Sequence, residues 1–113
     1  MLVGVVHDRR FGPVVACGAG GVLVELVKDR QLALPPLDEH RARSLIDRLR
    51  SRPLLDGIRG APAADVASLA FAISRLSVLA SDLGDLIAAL DVNPMIVSPG
   101  GCVAVDALVI PAS

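Results

Sequence analysis

Apolar residues fall in short blocks through the first third of the chain and in a helical rhythm through its middle. Leu2–Asp8 is rich in Val and reads as a buried strand, Arg9–Pro13 as a turn and Val14–Gly18 as a second strand. Gly18-Ala19-Gly20-Gly21 is a glycine loop, Val22–Lys28 a third strand, Asp29-Arg30 a turn and Gln31–Leu34 a short fourth strand. Pro35-Pro36 closes this region. Asp38, as N-cap, and Glu39, in the first turn, then open a helix. Its apolar stripe is Leu45, Ile46 and Leu49, its wet face carries Arg41, Arg43, Asp47, Arg48 and Arg50, and Arg52-Pro53 stops it. Leu54–Gly60 reads as a loop. A second helix is predicted from Pro62 or Ala63 to about Asp82, because Val66, Leu69, Ala70, Ile73, Leu76 and Leu79 recur at three and four residues, with Gly84 as terminator. Asp85–Val92 reads as a strand continued beyond Pro94 by Met95–Ser98. Pro99-Gly100-Gly101 is a hairpin turn and Cys102–Ile110 the return strand. Strands, two helices and a hairpin, with no repeat or linker, predict one α+β domain over residues 1–113 with a mainly antiparallel sheet.

Composition narrows this picture. Phe11 and Phe71 are the only aromatics among 113 residues, so the core is built from Val, Leu, Ile and Ala, and a partner surface would help to stabilise it. The net charge is −1, with no basic block and no stacking aromatics, which excludes a nucleic-acid footprint. The long apolar runs are interrupted by Glu25 or by Asp65, Ser68, Ser74 and Arg75, so no membrane span is expected. The first residues are too short and too uncharged for a signal peptide, and the expectation is a cytoplasmic protein. Cys17 and Cys102 sit in strand-like segments and read as small buried hydrophobes rather than a disulfide or a metal pair.

Chemistry gathers in the last hairpin. Asp91 and Asn93, two residues apart on a strand, point to one face, and pairing across Pro99-Gly100-Gly101 brings Asp106 near Asn93. Two acids and an amide grouped by register repel unless a cation sits between them, and the donor set suits magnesium, which takes one or two carboxylates and leaves its other positions to water and phosphate. The plainer alternative is that Asp91 and Asp106 lie on the wet face of an ordinary hairpin. Elsewhere, Gly18, Gly20 and Gly21 present backbone N–H groups to phosphate oxygens or form a bare turn. Glu25 faces either a nucleotide or water. Arg59, between Gly57 and Gly60, either stabilises a transferring phosphoryl group or pairs with Asp56 or Asp65. The arginine stripe is a solvated helix face or meets an acidic partner domain.

Asp91-Val92-Asn93-Pro94-Met95-Ile96-Val97 followed by Val105-Asp106 resembles the acidic-x-Asn-Pro-Leu strand and Leu-Asp return strand of the ATP-grasp ligases. The nearest members are the succinyl-CoA synthetase β-subunit and the NDP-forming acyl-CoA synthetases. The opening Leu2–Val6 with Asp8 and Phe11–Val15 is similar to the latter branch. So are Gly18–Val22 with Val24–Asp29, then Leu34, Pro36 and Leu37, and Leu54–Gly57 with Arg59, Gly60 and Asp65, so that the likeness runs along the whole chain. It implies the carboxy-terminal lobe of an ATP-grasp fold. Asn93 and Asp106 would be the Mg2+ ligands and Asp91 would tune the ion. Gly18, Gly20, Gly21, Glu25 and Arg59 would lie towards the phosphates of ATP or ADP. Histidine carries phosphate in this branch, but His7 and His40 sit in no comparable context.

The implied reaction for the complete protein is acid + CoA + ATP giving acyl-CoA, ADP and phosphate. It needs a first ATP-grasp lobe, which carries lysines where this chain has only Lys28, and a CoA-binding domain or subunit. The isolated chain is accordingly expected to show no turnover. Ala89 departs from the branch, which usually has Glu there. That leaves open a non-catalytic nucleotide-binding or regulatory lobe, as in a protein lysine acetyltransferase with an inactive ligase part, or a remnant that pairs with a CoA-binding subunit.

Overall fold

The computed structural model describes residues 1–19, 29–57 and 60–112. The strand expected at Val22–Lys28 and the residues Gly20, Gly21, Glu25 and Arg59 lie outside the described residues. The described residues form seven strands and two helices: β1 (Leu2–Asp8), β2 (Gly12–Gly18), β3 (Arg30–Ala33), α1 (Glu39–Asp47), α2 (Val66–Leu83), β4 (Ile87–Val92), β5 (Met95–Ser98), β6 (Gly101–Ala104) and β7 (Ala107–Pro111). Five of the strands form an antiparallel sheet in the order β3-β2-β1-β4-β7, and β5 and β6 pair separately. The class is α+β with a mainly antiparallel sheet and two helices, as the apolar pattern predicts.

Register divides the sheet into two unlike faces. Val3 opposes Cys17 and Val92, and Val5 opposes Val15 and Leu90. These six are buried and join Leu45 and Ile46 of α1 and Leu69 and Ile73 of α2 in the core. The other face carries the row Leu108, Asp91, Gly4, Ala16, Leu32 and the row Ile110, Ala89, Val6, Val14. Among the described residues no helix covers that face, and Val6, Leu32, Leu108 and Ile110 are exposed on it.

Local chemistry explains most boundaries. Asp8 Oδ1 accepts from the N–H groups of Arg10 (2.7 Å) and Phe11 (3.2 Å), closing the β1–β2 turn, and Gly12 supplies its positive φ of 76°. Asp38 caps α1 by accepting from Arg41 N at 2.7 Å. Helix α2 starts at Val66, later than Pro62 or Ala63, because tertiary partners take the preceding amides. Ala64 N donates to Leu55 O at 2.8 Å and Asp65 N to Ser98 O at 2.8 Å. Asp65 is the cap, accepting from Ser68 N at 3.0 Å and Ser68 Oγ at 2.7 Å. Gly84 is not a left-handed terminator. Its backbone stays helical (φ −50°, ψ −40°) into a 3-10 turn at Gly84–Leu86. A Cβ there would stand 3.2 Å from Pro13 Cγ, so close packing explains the glycine. A further 3-10 turn, Arg52–Asp56, replaces much of the loop expected from Leu54, and Arg52 bridges Asp47 and Asp56 at 2.8 Å each.

Buried hydroxyls fasten α2 to the segment leading into α1. Ser74 Oγ donates to Leu37 O at 2.7 Å, and Leu37 N donates to Ser77 Oγ at 2.8 Å. By length and composition Val66–Leu86 could cross a membrane, with mean hydropathy 1.5, contrary to the sequence expectation. Its serines and single arginine lower hydropathy too little to exclude it. In this fold one side of it packs into the core through Val66, Leu69, Ala70, Ile73 and Ala80.

Candidate functional site

The return strand expected as one piece, Cys102–Ile110, is two strands in two sheets. Proline is the cause. Pro94 has no N–H, so the outgoing strand cannot carry one ladder past it. β4 ends at Val92, the chain passes through Asn93 and Pro94, and β5 begins a new pair. The return chain changes sheets at the same level, between Ala104 and Ala107. Two backbone bonds lock the crossing: Asn93 N donates to Asp106 O at 3.1 Å, and Val105 N donates to Pro94 O at 3.0 Å. Asn93 and Asp106 are thus opposed where the two sheets part, the juxtaposition expected from the hairpin.

Asp91 lies two residues back on the uncovered face. Its direct neighbours across the sheet are Gly4 and Leu108. Asp91 and Asp106 are exposed and Asn93 is half-buried. Asp106 Oδ1 accepts from Ala107 N at 2.9 Å. The donor set is two carboxylates and an amide, all hard oxygen, which fits magnesium shared with a phosphate chain better than a nitrogen- or sulfur-seeking metal. Among the described residues no group of three or more His, Cys, Asp or Glu could hold a metal. An all-protein metal cage is therefore not in view, and a site of this kind takes its remaining oxygens from ligand and water.

Two residues of this region escape a reading of the sequence. Gly4 sits beneath Asp91: a Cβ there would come within 2.9 Å of Leu90 O and 4.0 Å of Asp91 Oδ1. A lone glycine within a Val-rich strand is the signal that could have found it. Gly4→Val is expected to cost about 1–3 kcal/mol in chemical denaturation. The second is Asp29, taken from the sequence as a turn residue. It is 4% exposed. Its Oδ1 accepts from Arg50 N at 2.7 Å and its Oδ2 from Ser51 N at 2.9 Å. Burial alone would push this carboxyl up, but the hydrogen bonds from Ser51 and Arg50, with the Arg50 charge, outweigh it and hold the group below its ordinary value. Asp29 so ties the loop after α1 to the edge of β3.

Gly18 ends β2, is buried, and pairs with Leu2 and Arg30. The Asp29 carbonyl occupies the place a Gly18 Cβ would need. Close packing thus accounts for this glycine. Asp56 is engaged with Arg52 and Asp65 caps α2. Cys17 is buried and Cys102 half-buried, and neither forms a disulfide. Burial, with Asp29 nearby, pushes the Cys17 thiol up to about 12, which makes it inert.

On the same uncovered face, Val6, Val14, Leu32 and Leu34, with Phe11, line an apolar cavity of about 310 Å3 that has His7 and Asp8 at its rim. The fold thus presents an apolar sheet face with one acid at the end near the hairpin and a set of hard oxygens beside it. The profile of the ATP-grasp domain matches residues 1–110. The chain is 36% identical over 112 residues to the subunit beta of acetate–CoA ligase [ADP-forming] II of Pyrococcus furiosus, covering 97% of this chain and 48% of that one. It is 41% identical over 113 residues to a trans-feruloyl-CoA synthase from an unknown prokaryotic organism, covering 97% of this chain and 16% of that one. A solved structure of Ca. Korarchaeum cryptofilum dinucleotide forming acetyl-coenzyme A synthetase 1, in complex with coenzyme A and Mg-AMPPCP, superposes with a TM-score of 0.89. It shows 36% identity over 98% of this chain and 52% of that one. The chain belongs to the ATP-grasp family, and a nucleotide-binding role fits that family. It spans about half the length of the Pyrococcus furiosus subunit it matches.

Proposed function

We propose that this chain is the part of an ADP-forming acyl-CoA synthetase that holds the magnesium–nucleotide complex. Asn93 and Asp106 would be the metal's protein ligands, with Asp91 adjusting the field around them. The observation that carries this reading is the Asn93–Asp106 backbone pairing at the parting of the two sheets, beside Asp91 on the uncovered face. A divalent ion held there by Asn93 and Asp106 would supply positive charge that offsets the negative charge developing during phosphoryl transfer. The chain's own residues do the holding. Asp106 and Asn93 are set by the strand crossing, and the apolar rows of β1, β2 and β3 would form one wall of the completed cleft. Gly20, Gly21, Glu25 and Arg59 belong to the same proposal as groups directed at the phosphates.

The whole reaction, acid + CoA + ATP to acyl-CoA + ADP + phosphate, needs the rest of the cleft and a CoA-binding domain or subunit. The match to half of the Pyrococcus furiosus subunit supports that division. A second reading, nucleotide binding without chemistry, is favoured by Ala89. It lies on the uncovered face between Ile110 and Val6, so its row carries no carboxylate where the acyl-CoA synthetase branch usually has Glu.

Calorimetric titration of the 113-residue chain with Mg-ATP tests the proposal. Binding that vanishes when EDTA removes the metal is the expected result, with no ATP hydrolysis by the chain alone. Binding unchanged by EDTA would overturn the metal assignment, and steady hydrolysis would overturn the claim that the cleft is completed elsewhere.

A further inference from the structure

Helix α2 carries an apolar stripe that is exposed among the described residues. Phe71, Val78 and Leu79 are exposed at 52%, 37% and 38%, and Leu86, at the end of the following 3-10 turn, at 67%. At about 100° per residue Phe71, Arg75, Val78, Leu79 and Asp82 fall on one face of the helix, and Leu86 stands beyond its end in the 3-10 turn. The opposite face, Val66, Leu69, Ile73, Ser77 and Ala80, is the one buried in the core. Arg75 and Asp82 are both exposed, and neither takes part in an ion pair among the described residues.

The order of these residues is self-complementary. When two copies of α2 are laid antiparallel with Val78 of one against Leu79 of the other, Arg75 meets Asp82 twice and Phe71 meets Leu86 twice. A two-fold interface requires this reciprocity, because each contact must occur again with the copies exchanged. Shape agrees with charge. Beside Phe71, between α2 and the β5–β6 hairpin, lies a cavity of about 500 Å3 walled by Ser68, Phe71, Ala72, Cys102 and Val103. Leu86, the most exposed large apolar residue among the described ones, projects at the other end of the stripe. The symmetric register carries that leucine to the mouth of the partner's cavity.

We propose that this chain forms a two-fold homodimer through antiparallel packing of α2, with Arg75–Asp82 pairs on both sides of the axis and Leu86 seated beside Phe71 of the other copy. The occupant is a second copy because the stripe matches itself in charge and in shape. The core-facing side of α2 lies against the helix-covered face of the sheet, so the dimer leaves the candidate nucleotide face open. A stripe of this length buries less than the roughly 800 Å2 per partner of a standard stable interface, so the dissociation constant should be on the order of micromolar.

Analytical ultracentrifugation of the full chain without nucleotide, from about 1 µM to about 1 mM, tests this independently of the function proposed above. The expected result is a reversible monomer–dimer equilibrium. Arg75→Asp alone and Asp82→Arg alone each place like charges face to face twice, and each should raise the dissociation constant at least about tenfold. The double variant R75D/D82R should restore it, and so should an equimolar mixture of the two single variants. Circular dichroism checks that all variants keep the wild-type fold, as is expected for exposed helix positions. A chain that stays monomeric throughout, a dimer indifferent to both single reversals, or a failure of the double variant to recover would each overturn the proposal.

Discussion

Asp106→Ala is expected to weaken Mg-ATP binding at least about a hundredfold while leaving the fold intact. Removal of groups that merely support a metal ligand already costs about 10–100-fold, and a protein-supplied oxygen ligand should cost no less. The fold should survive because the side chain is exposed. Its recorded hydrogen bond is to the neighbouring Ala107 N, whereas the Asn93 N to Asp106 O bond that locks the crossing uses the backbone. Titration calorimetry at fixed free magnesium measures the loss, and circular dichroism verifies the fold. Asp106→Asn, which keeps an oxygen but removes the charge, should lie between wild type and Asp106→Ala. Asp85→Ala, which removes an exposed acid before β4, should change nothing. Equal affinity in Asp106→Ala and wild type would remove the hairpin from the nucleotide site.

Asp29→Ala is expected to lower stability by about 1–3 kcal/mol, because it leaves the part-buried Arg50 and Ser51 amides without their acceptor. The same carboxylate makes stability depend on pH. Its folded pKa is depressed below the ordinary 3.8, so its contribution is complete above that value and is lost as pH falls through the folded value. Urea denaturation of wild type should therefore show stability falling with acid below about pH 4, and Asp29→Asn should flatten that part of the curve. An Asp29→Asn profile parallel to wild type through this window would show that the buried carboxylate is not the group responsible.

What was legible in the sequence and what was not divide along physical lines. Val-rich blocks and three-and-four spacing identified most of the elements, because the period of the apolar residues reflects which side of an element is buried. Element ends were less legible wherever another part of the chain decided them. α2 starts at Val66 because Leu55 and Ser98 carbonyls take the amides of Ala64 and Asp65. Gly84 follows the last residue of α2, as expected of a terminator, but its lack of a side chain serves contact with Pro13, seventy-one positions away in sequence.

The candidate site was legible for a similar reason. Asp91, Asn93 and Asp106 lie on one hairpin, so local register and a short turn suffice to bring them together, and the motif resembles that of the ATP-grasp ligases. Pro94 was visible too, but its effect was not: it divides the hairpin between two sheets and places Asn93 and Asp106 at the parting.

The sequence by itself determined the α+β class, through periodicity, and the three oxygen-bearing residues of the hairpin, through neighbours along one turn, while the family came from the resemblance of its motifs to those of the ATP-grasp ligases. Only the tertiary structure decided which sheet face is uncovered among the described residues, that Gly4 pairs across the sheet with Asp91, that Asp29 is a buried clasp for the loop after α1, and that the outer stripe of α2 is exposed. Each of those depends on strands or helices that are distant in sequence lying side by side, and side-chain periodicity along one element carries no information about what the next element covers.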